Sequence, residues 1–225
     1  MVKCNALANV YLRRPTKSDA RNVVRLHEKV HKIPGMMGLL DVTKVHWKNC
    51  PTAWKGQFQG REKYTGLGLE AVVDNSLWFW HAAFGFPGTL NDINIWERSS
   101  LFESMINGEH DNLDFDYVVD EEVFSKLFHL VNGIYPSLTR FISSEPDPHT
   151  NIAYSFASDQ EAYRKDIERG FGVLKIKFLT LTHPINPHHH DNIYYLVLGA
   201  ILQHNMMVES RLKNGEEESG ICWNV

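Results

Sequence analysis

The sequence has few cysteines and no long apolar run. Cys4, Cys50 and Cys222 are odd in number, far apart and in no Cys-x-x-Cys pair, so neither a disulfide framework nor a cysteine-ligated zinc site is predicted. No stretch approaches the roughly 18 to 20 apolar residues that a membrane span requires. The N-terminus lacks the apolar run of a secretory signal. These absences predict a soluble protein of a reducing intracellular compartment, without a membrane partner.

The composition predicts a folded chain with an uneven distribution of charge. Of the 225 residues, 43% are hydrophobic and 12% aromatic, which is enough to offset the entropy of ordering a chain of this length. Residues 1–63 hold 13 Lys and Arg against 4 Asp and Glu, whereas residues 64–225 hold 10 against 23. The basic first third favours a polyanion, which the acidic remainder would repel unless metal ions intervene. A solvated charged face explains the charge equally well.

Hydrophobic periodicity predicts a mixture of helices and strands in the first two thirds of the chain. A helical segment with one basic face spans residues 1–34, with a break at Pro15 and Ser18 as the expected N-cap. Residues 91–105 are expected to form a short helix interrupted near Ser99, and residues 107–125 are only loosely patterned. Strands are expected over residues 39–47, 64–73, 77–84 and 127–131.

The last third of the chain contains the strongest helical pattern. Five apolar residues follow one another at steps of 4, 4, 3 and 4, with Ser158 as the expected upstream cap. They are Tyr163, Ile167, Phe171, Leu174 and Phe178. A final helix over 192–208 is apolar nearly all round and is expected to be buried, and the tail over 211–225 is expected to be frayed.

Three acidic residues fit a site for hard cations by the kind of element that carries each. Asp41 lies in mid-strand, where an unpaired charge is costly. Asp92 lies at the start of the short helical segment, and Glu168 borders the apolar stripe of the later helix. Magnesium prefers oxygen ligands, and carboxylates from separate elements can hold a pair of ions about 4 Å apart. Spacing alone leaves the ordinary alternative open, in which each carboxylate is solvated or paired, Glu168 with Arg164 or Lys165.

Other chemical motifs are weaker. The triplet His188-His189-His190 suggests a metal, but adjacent loop positions cannot all face one ion, and a cap for the following helix is the better explanation. His81 and His129 lie on apolar strands and are expected to be core residues with satisfied hydrogen bonds. The sequence contains neither a phosphate-binding loop nor a nucleophile elbow.

Five longer stretches, taken in order, resemble the catalytic domain of DDE transposases of the PIF/Harbinger type, especially the plant and protist branch. The resemblance extends over about residues 11–210. The stretches are 38–63 (GLLDVTKVHWKNCPTAWKGQFQGREK), 69–95 (LEAVVDNSLWFWHAAFGFPGTLNDINI), 132–136 (NGIYP), 160–175 (QEAYRKDIERGFGVLK) and 202–209 (LQHNMMVE).

The resemblance implies an α/β fold, an RNase H-like three-layer domain over residues 35–210. Such a domain has a mixed five-stranded sheet with helices on both faces, and its carboxylates bind two divalent ions, Mg²⁺ or Mn²⁺. Asp41 matches the first Asp of the family, Glu168 matches its helical Glu, and Asp92 matches a further acidic residue of the metal site.

One position departs from the family pattern. The strand Asp of the family motif ADGIYP is Asn132 here, although the 35 residues between it and Glu168 are the typical spacing. Asn offers one neutral oxygen but no negative charge, so four acidic positions become three. A loss of about 3 to 4 kcal/mol of transition-state stabilisation would slow the reaction roughly 10²- to 10³-fold. Lys44, where the family commonly has His, places a cation nearby.

Two functions therefore remain open. The first is a metal-dependent DNA endonuclease or transposase-like enzyme with Asp41, Asp92, Glu168 and Asn132 in its active site, impaired by the Asn. Basic residues over 13–32 and in the loop after the first strand would steer DNA to it. The second is a catalytically inactive, transposase-derived protein that binds DNA or protein. A gene-model fragment without an independent role is a third, weaker alternative.

The resemblance also suggests partners and a location. Relatives carry an upstream helix-turn-helix segment, which is expected to be missing here, and often rely on a Myb/SANT-like accessory protein. A nuclear location follows from the resemblance alone, since the sequence has no clear import signal.

Overall fold

The computed structural model describes residues 2–143 and 149–215, which form helices around a mixed sheet. Cys4 and Cys50 are free thiols, and Cys222 lies outside the described residues. The helices are α1 (Val2–Tyr11), α2 (Lys17–His31), α3 (Lys55–Phe58), α4 (Asp92–Trp96), α5 (Ser100–Ile106), α6 (Asn151–Lys177), α7 (Leu179–Thr182) and α8 (His190–Lys213). The strands are β1 (Met36–His46), β2 (Gly66–Val73), β3 (Phe79–Pro87), β4 (Tyr117–Val119), β5 (Glu122–Phe124), β6 (Phe128–Leu130) and β7 (Phe141–Ile142). Within the described ranges, no helix is long and apolar enough to cross a membrane.

Five of the strands form one sheet in the order β3-β2-β1-β6-β7. The first three strands are antiparallel neighbours, whereas β6 pairs parallel to β1 and β7 pairs parallel to β6. The predicted α/β class and five-stranded mixed sheet are therefore confirmed. The strand β1 is central, and its residue Asp41 lies opposite Ala71 of β2.

Helices pack on both faces of this sheet because successive residues of a strand point to opposite sides. Leu39 of β1 belongs to the large core with Ile167 of α6 and Val197 of α8. Its neighbour Leu40 belongs to a second core with Trp96 of α4 and Leu101 of α5. Asp41 comes two residues after Leu39, so its side chain points to the same face of the sheet, which is the face that α6 covers.

Gly170 allows α6 to pack closely on the sheet. A Cβ atom added to this residue would lie 3.2 Å from Cγ1 of Val73 in β2. A larger residue would push the helix away from the strands, together with Glu168 one half-turn earlier.

Two predicted helix starts are wrong. The helix α2 begins two residues earlier than Ser18 implies, because Thr16 is its N-cap and forms a reciprocal capping box with Asp19. The helix α6 begins at Asn151 with Thr150 as its N-cap, so Ser158 lies inside the helix. The periodicity missed its first two turns because Ile152 and Tyr154 there are exposed and form no buried stripe.

Several smaller expectations also need correction. The loosely patterned region contains the hairpin β4–β5, whose three-residue strands are too short for periodicity to detect. The helix α8 runs to Lys213 and is not buried all round, since Met206 and Met207 are exposed. His189 is its N-cap but makes no side-chain capping hydrogen bond, while His190 Nε2 lies 3.1 Å from the carbonyl oxygen of Gly85.

Four histidines lie in an environment that favours their neutral form. Burial lowers the pKa of His27 and of His129 to about 3, and that of His204 to about 4. The fourth, His110, has its pKa lowered to about 4, again mainly by burial. Neither ring nitrogen of His27 has a hydrogen-bond partner among the described residues.

These histidines predict a loss of stability in acid. Each binds a proton in the unfolded chain below about pH 6.5 but not in the folded one, so stability present above that pH is lost as the pH falls towards 4. The variant His27→Phe should therefore lose about 2 kcal/mol less stability than the unaltered protein between pH 7.5 and pH 5. Urea unfolding at the two pH values measures this difference. His188→Phe changes an exposed histidine and serves as the control; equal losses in both variants would contradict the prediction.

Candidate active site

Asp41 is the most deeply placed of the candidate site residues. Its side chain is only 14% exposed, and its Oδ2 lies 3.5 Å from Nη2 of Arg164 on α6. Burial raises the pKa of Asp41, and the charges of Asp92 and Glu168 raise it further, while Arg164 and the backbone of Val42 oppose the rise. The carboxylates of three separate elements therefore act on one another electrostatically.

Asp92 and Asn132 meet from different parts of the chain. Asp92 opens α4 directly after the N-cap Asn91, and Asn132 follows β6. The Nδ2 of Asn132 donates to Oδ2 of Asp92 over 3.4 Å. Burial raises the pKa of Asp92, and the hydrogen bond from Asn132 and the charge of Lys44 act against this rise.

The amide orientation of Asn132 is fixed by its second hydrogen bond. Its Oδ1 accepts the backbone N–H of Ile134 at 2.9 Å, so its NH₂ group, and not its oxygen, faces Asp92. The site thus receives a hydrogen-bond donor from this position. An Asp here would instead bring a second carboxylate towards Asp92.

Glu168 lies on α6, four residues after Arg164, on the side of the helix that faces Asp41. It is exposed, and its charge contributes to the raised pKa of Asp41. Arg164, which was a candidate partner for Glu168, lies instead against Asp41, and its Nε is buried without a partner among the described residues. Sequence spacing gave no sign of this contact, because strand β1 and helix α6 are 123 residues apart at that point.

Two lysines complete the charge distribution. Lys44 Nζ lies 2.9 Å from Oε1 of Glu62, and its charge also lowers the pKa of Asp92. Lys175 Nζ donates to Oγ1 of Thr43 at 2.8 Å, and burial lowers its pKa. Lys175 was not recognised as a site residue from the sequence, since its only signal was its position two turns after Glu168.

A cleft of about 480 Å³ opens beside these residues. It lies between the end of β6 and α6, so Asn132 and Arg164 both face it. Its lining consists of Val131, Asn132, Gly133, Ala157, Ser158, Gln160, Glu161 and Arg164.

The donor atoms suit a hard cation, although their present arrangement is not a formed metal site. Across residues 2–143 and 149–215, no group of three or more His, Cys, Asp or Glu side chains is close enough to hold an ion. Burial is the main cause of the raised pKa values of Asp41 and Asp92, so a bound cation would offset the cost of their buried charge. Carboxylate oxygens are the ligands that Mg²⁺ and Mn²⁺ prefer, so Asp41, Asp92 and Glu168 fit such an ion chemically.

A comparison with protein families identifies the family to which this chain belongs. The family model of the plant transposon protein matches residues 9–214. The chain therefore belongs to the plant transposon protein family, and its origin is related to transposases. No curated protein and no solved structure matches it.

The variant Asn132→Asp should make the stability of the protein depend on a divalent metal. A second carboxylate near Asp92 adds repulsion worth about 1 kcal/mol or more, which lowers the melting temperature by roughly 2–4 °C in EDTA. Millimolar Mn²⁺ should raise the melting temperature of the variant more than that of the unaltered protein, because an ion bound only by the folded state stabilises it. Thermal unfolding followed by circular dichroism measures both shifts.

The variant Asn107→Asp is the matched control, since it makes the same chemical change at an exposed position. Equal responses to Mn²⁺ in Asn132→Asp, Asn107→Asp and the unaltered protein would contradict the assignment of the site.

Proposed function

We propose that this protein is a metal-dependent DNA endonuclease of the Harbinger transposase type, with an active site weakened by Asn132. The observation that carries the proposal is that the charges of Asp92, on a short helix, and Glu168, on a late helix, both raise the pKa of Asp41 on the central strand. Carboxylates from separate elements that approach one position favour a site for phosphodiester chemistry.

The sheet topology supports an RNase H-like domain. Three antiparallel strands are followed by two strands parallel to the central one, and helices cover both faces. In this arrangement Asp41 lies on β1 and Asn132 directly after the adjacent parallel strand β6, which brings them to neighbouring positions.

The roles of the residues follow from their chemistry. Asp41, Asp92 and Glu168 would hold Mg²⁺ or Mn²⁺, which supplies Lewis acidity for attack on a phosphodiester. Arg164 and Lys44 carry positive charge beside these carboxylates and would bind the phosphate oxygens of the DNA backbone.

A basic stripe on α2 offers a surface for the DNA backbone. Its four residues follow one another at intervals of four on the exposed side of the helix, opposite the buried Val23, Val24 and His27. The stripe consists of Lys17, Arg21, Arg25 and Lys29. At about 1.5 Å per residue it extends roughly 18 Å along the helix, long enough to contact several phosphates. A nuclear location and a Myb/SANT-like accessory protein are part of the same proposal.

The second candidate function is an inactive, transposase-derived binding protein. It is favoured by the groups that face the carboxylates. The Nδ2 of Asn132 donates to Asp92, and Arg164 lies against Asp41, so two donors already compensate part of the negative charge that would attract a cation.

Cleavage of labelled duplex DNA in Mn²⁺ separates these functions. The unaltered protein is expected to cut slowly, and Asn132→Asp is expected to cut roughly 10²-fold faster or more, since it restores a charged ligand. The double variant Asn132→Asp/Glu168→Gln should lose that gain. If Asn132→Asp binds DNA and Mn²⁺ but does not cut, the endonuclease proposal is wrong and the binding function stands.

DNA affinity should depend on the basic stripe of α2. The double variant Arg25→Gln/Lys29→Gln should bind duplex DNA more weakly and flatten the dependence of log K on log salt concentration by about 2, close to one unit for each lost phosphate contact. Fluorescence anisotropy in EDTA at several salt concentrations measures this without cleavage. Lys213→Gln removes an exposed cation from the end of α8 and is the control; an unchanged slope in the α2 variant would exclude the stripe from the interface.

A further inference from the structure

A cavity of about 350 Å³ lies on the face of the sheet opposite α6. The sheet residue Val72 and the helix residue Leu101 line it together with Trp80, and its surface is predominantly apolar. Three histidines, His81 and His129 from the sheet and His110 from the turn after α5, also line it. Its size falls within the range of small-molecule sites, and its polar groups are few and convergent.

The hydrogen bonds of His110 determine which of its nitrogens is free to accept. The hydroxyl of Ser104 donates its one proton to the carbonyl oxygen of Leu101 at 2.8 Å, so its oxygen accepts from Nδ1 of His110 at 3.3 Å. Burial and the charge of Arg140 lower the pKa of His110 to about 4, which keeps the ring neutral. The other nitrogen, Nε2, therefore carries a lone pair.

His129 lines the same cavity but does not offer it an acceptor. The residue is 5% exposed, and its Nδ1, which has no hydrogen-bond partner within the described part of the chain, is almost inaccessible. Its ring lies 6.3 Å from that of His110, and its pKa of about 3 keeps it neutral. The acceptor for a ligand in the cavity is therefore Nε2 of His110.

The charges around the cavity favour a neutral ligand. Arg140 and Arg14 lower the pKa of His110, which shows a positive potential that disfavours cations. Glu70 is fully buried behind His81 and hydrogen-bonded to it at 3.0 Å, so an anion would meet a buried carboxylate. The mouth is bordered by an exposed ion pair between Arg14 and Glu109, and such pairs contribute little to stability and open readily.

We propose that this cavity binds a small, neutral heteroaromatic molecule that donates an N–H or O–H hydrogen bond to His110 while its ring packs against Trp80 and Leu101. The proposal does not depend on the endonuclease activity, because none of the carboxylates of the candidate active site lines the cavity.

Indole and benzofuran test the proposal, since they have nearly the same shape and only indole donates a hydrogen bond. Isothermal titration calorimetry of the whole chain at pH 7.5 should show indole binding at least about 10-fold more tightly than benzofuran, because only indole can donate a hydrogen bond to His110. Equal affinities would overturn the hydrogen-bonding assignment, and no binding of indole at millimolar concentration would overturn the site.

Two variants locate the binding. Leu101→Trp fills the cavity and should abolish indole binding, whereas Leu138→Trp adds the same residue at an exposed position and should not. His110→Phe should reduce the preference for indole over benzofuran to about 1. Indole binding that is unchanged in Leu101→Trp would contradict the proposal, and if that variant does not fold, an unchanged preference in His110→Phe would do so.

Discussion

The contact between Asp41 and Arg164 is the interaction around which the candidate active site is arranged. A carboxylate in the middle of a central strand, on the face that α6 covers, would be costly without a cation. The apolar neighbours of Asp41 on that face, Leu39 and Val45, belong to the large core. Ile167, in the next turn of α6, is fully buried in the same core. The ion pair and this apolar contact together fix the position of α6 along its axis.

Asn132 changes the net charge of the candidate active site. With an Asp at this position the site would hold four carboxylates, and cations would be needed to keep them together. Its amide instead donates towards Asp92 and is held in that orientation by the N–H of Ile134. Under the proposed function, this amide would keep the geometry of the site without an ion and would weaken its affinity for two ions.

The sequence predicted the elements that are long and one-sided, and it missed those whose partners are distant. Strand β1, the hairpin β2–β3 and the interruption at Ser99 follow from local alternation and turn residues. The start of α6 was missed because its first turns cover no core, and β7 has only two residues. The likeness to a family, and not spacing, selected Asp41, Asp92 and Glu168. Neither could reveal Arg164 beside Asp41, because that contact exists only after the sheet and α6 have packed.

Glu70 interacts with both the histidine-lined cavity and the candidate active site. It is fully buried in β2, its Oε2 is hydrogen-bonded to His81 in the wall of the histidine-lined cavity, and its charge raises the pKa of Asp92 in the candidate active site. Its other oxygen, Oε1, has no partner among the described residues. A buried charge is weakly screened, so a displacement of His81 that moves Glu70 alters the field at Asp92. The cavity and the carboxylates are therefore separate in space but share one electrostatic neighbour, and neither site can be understood from its own lining residues alone.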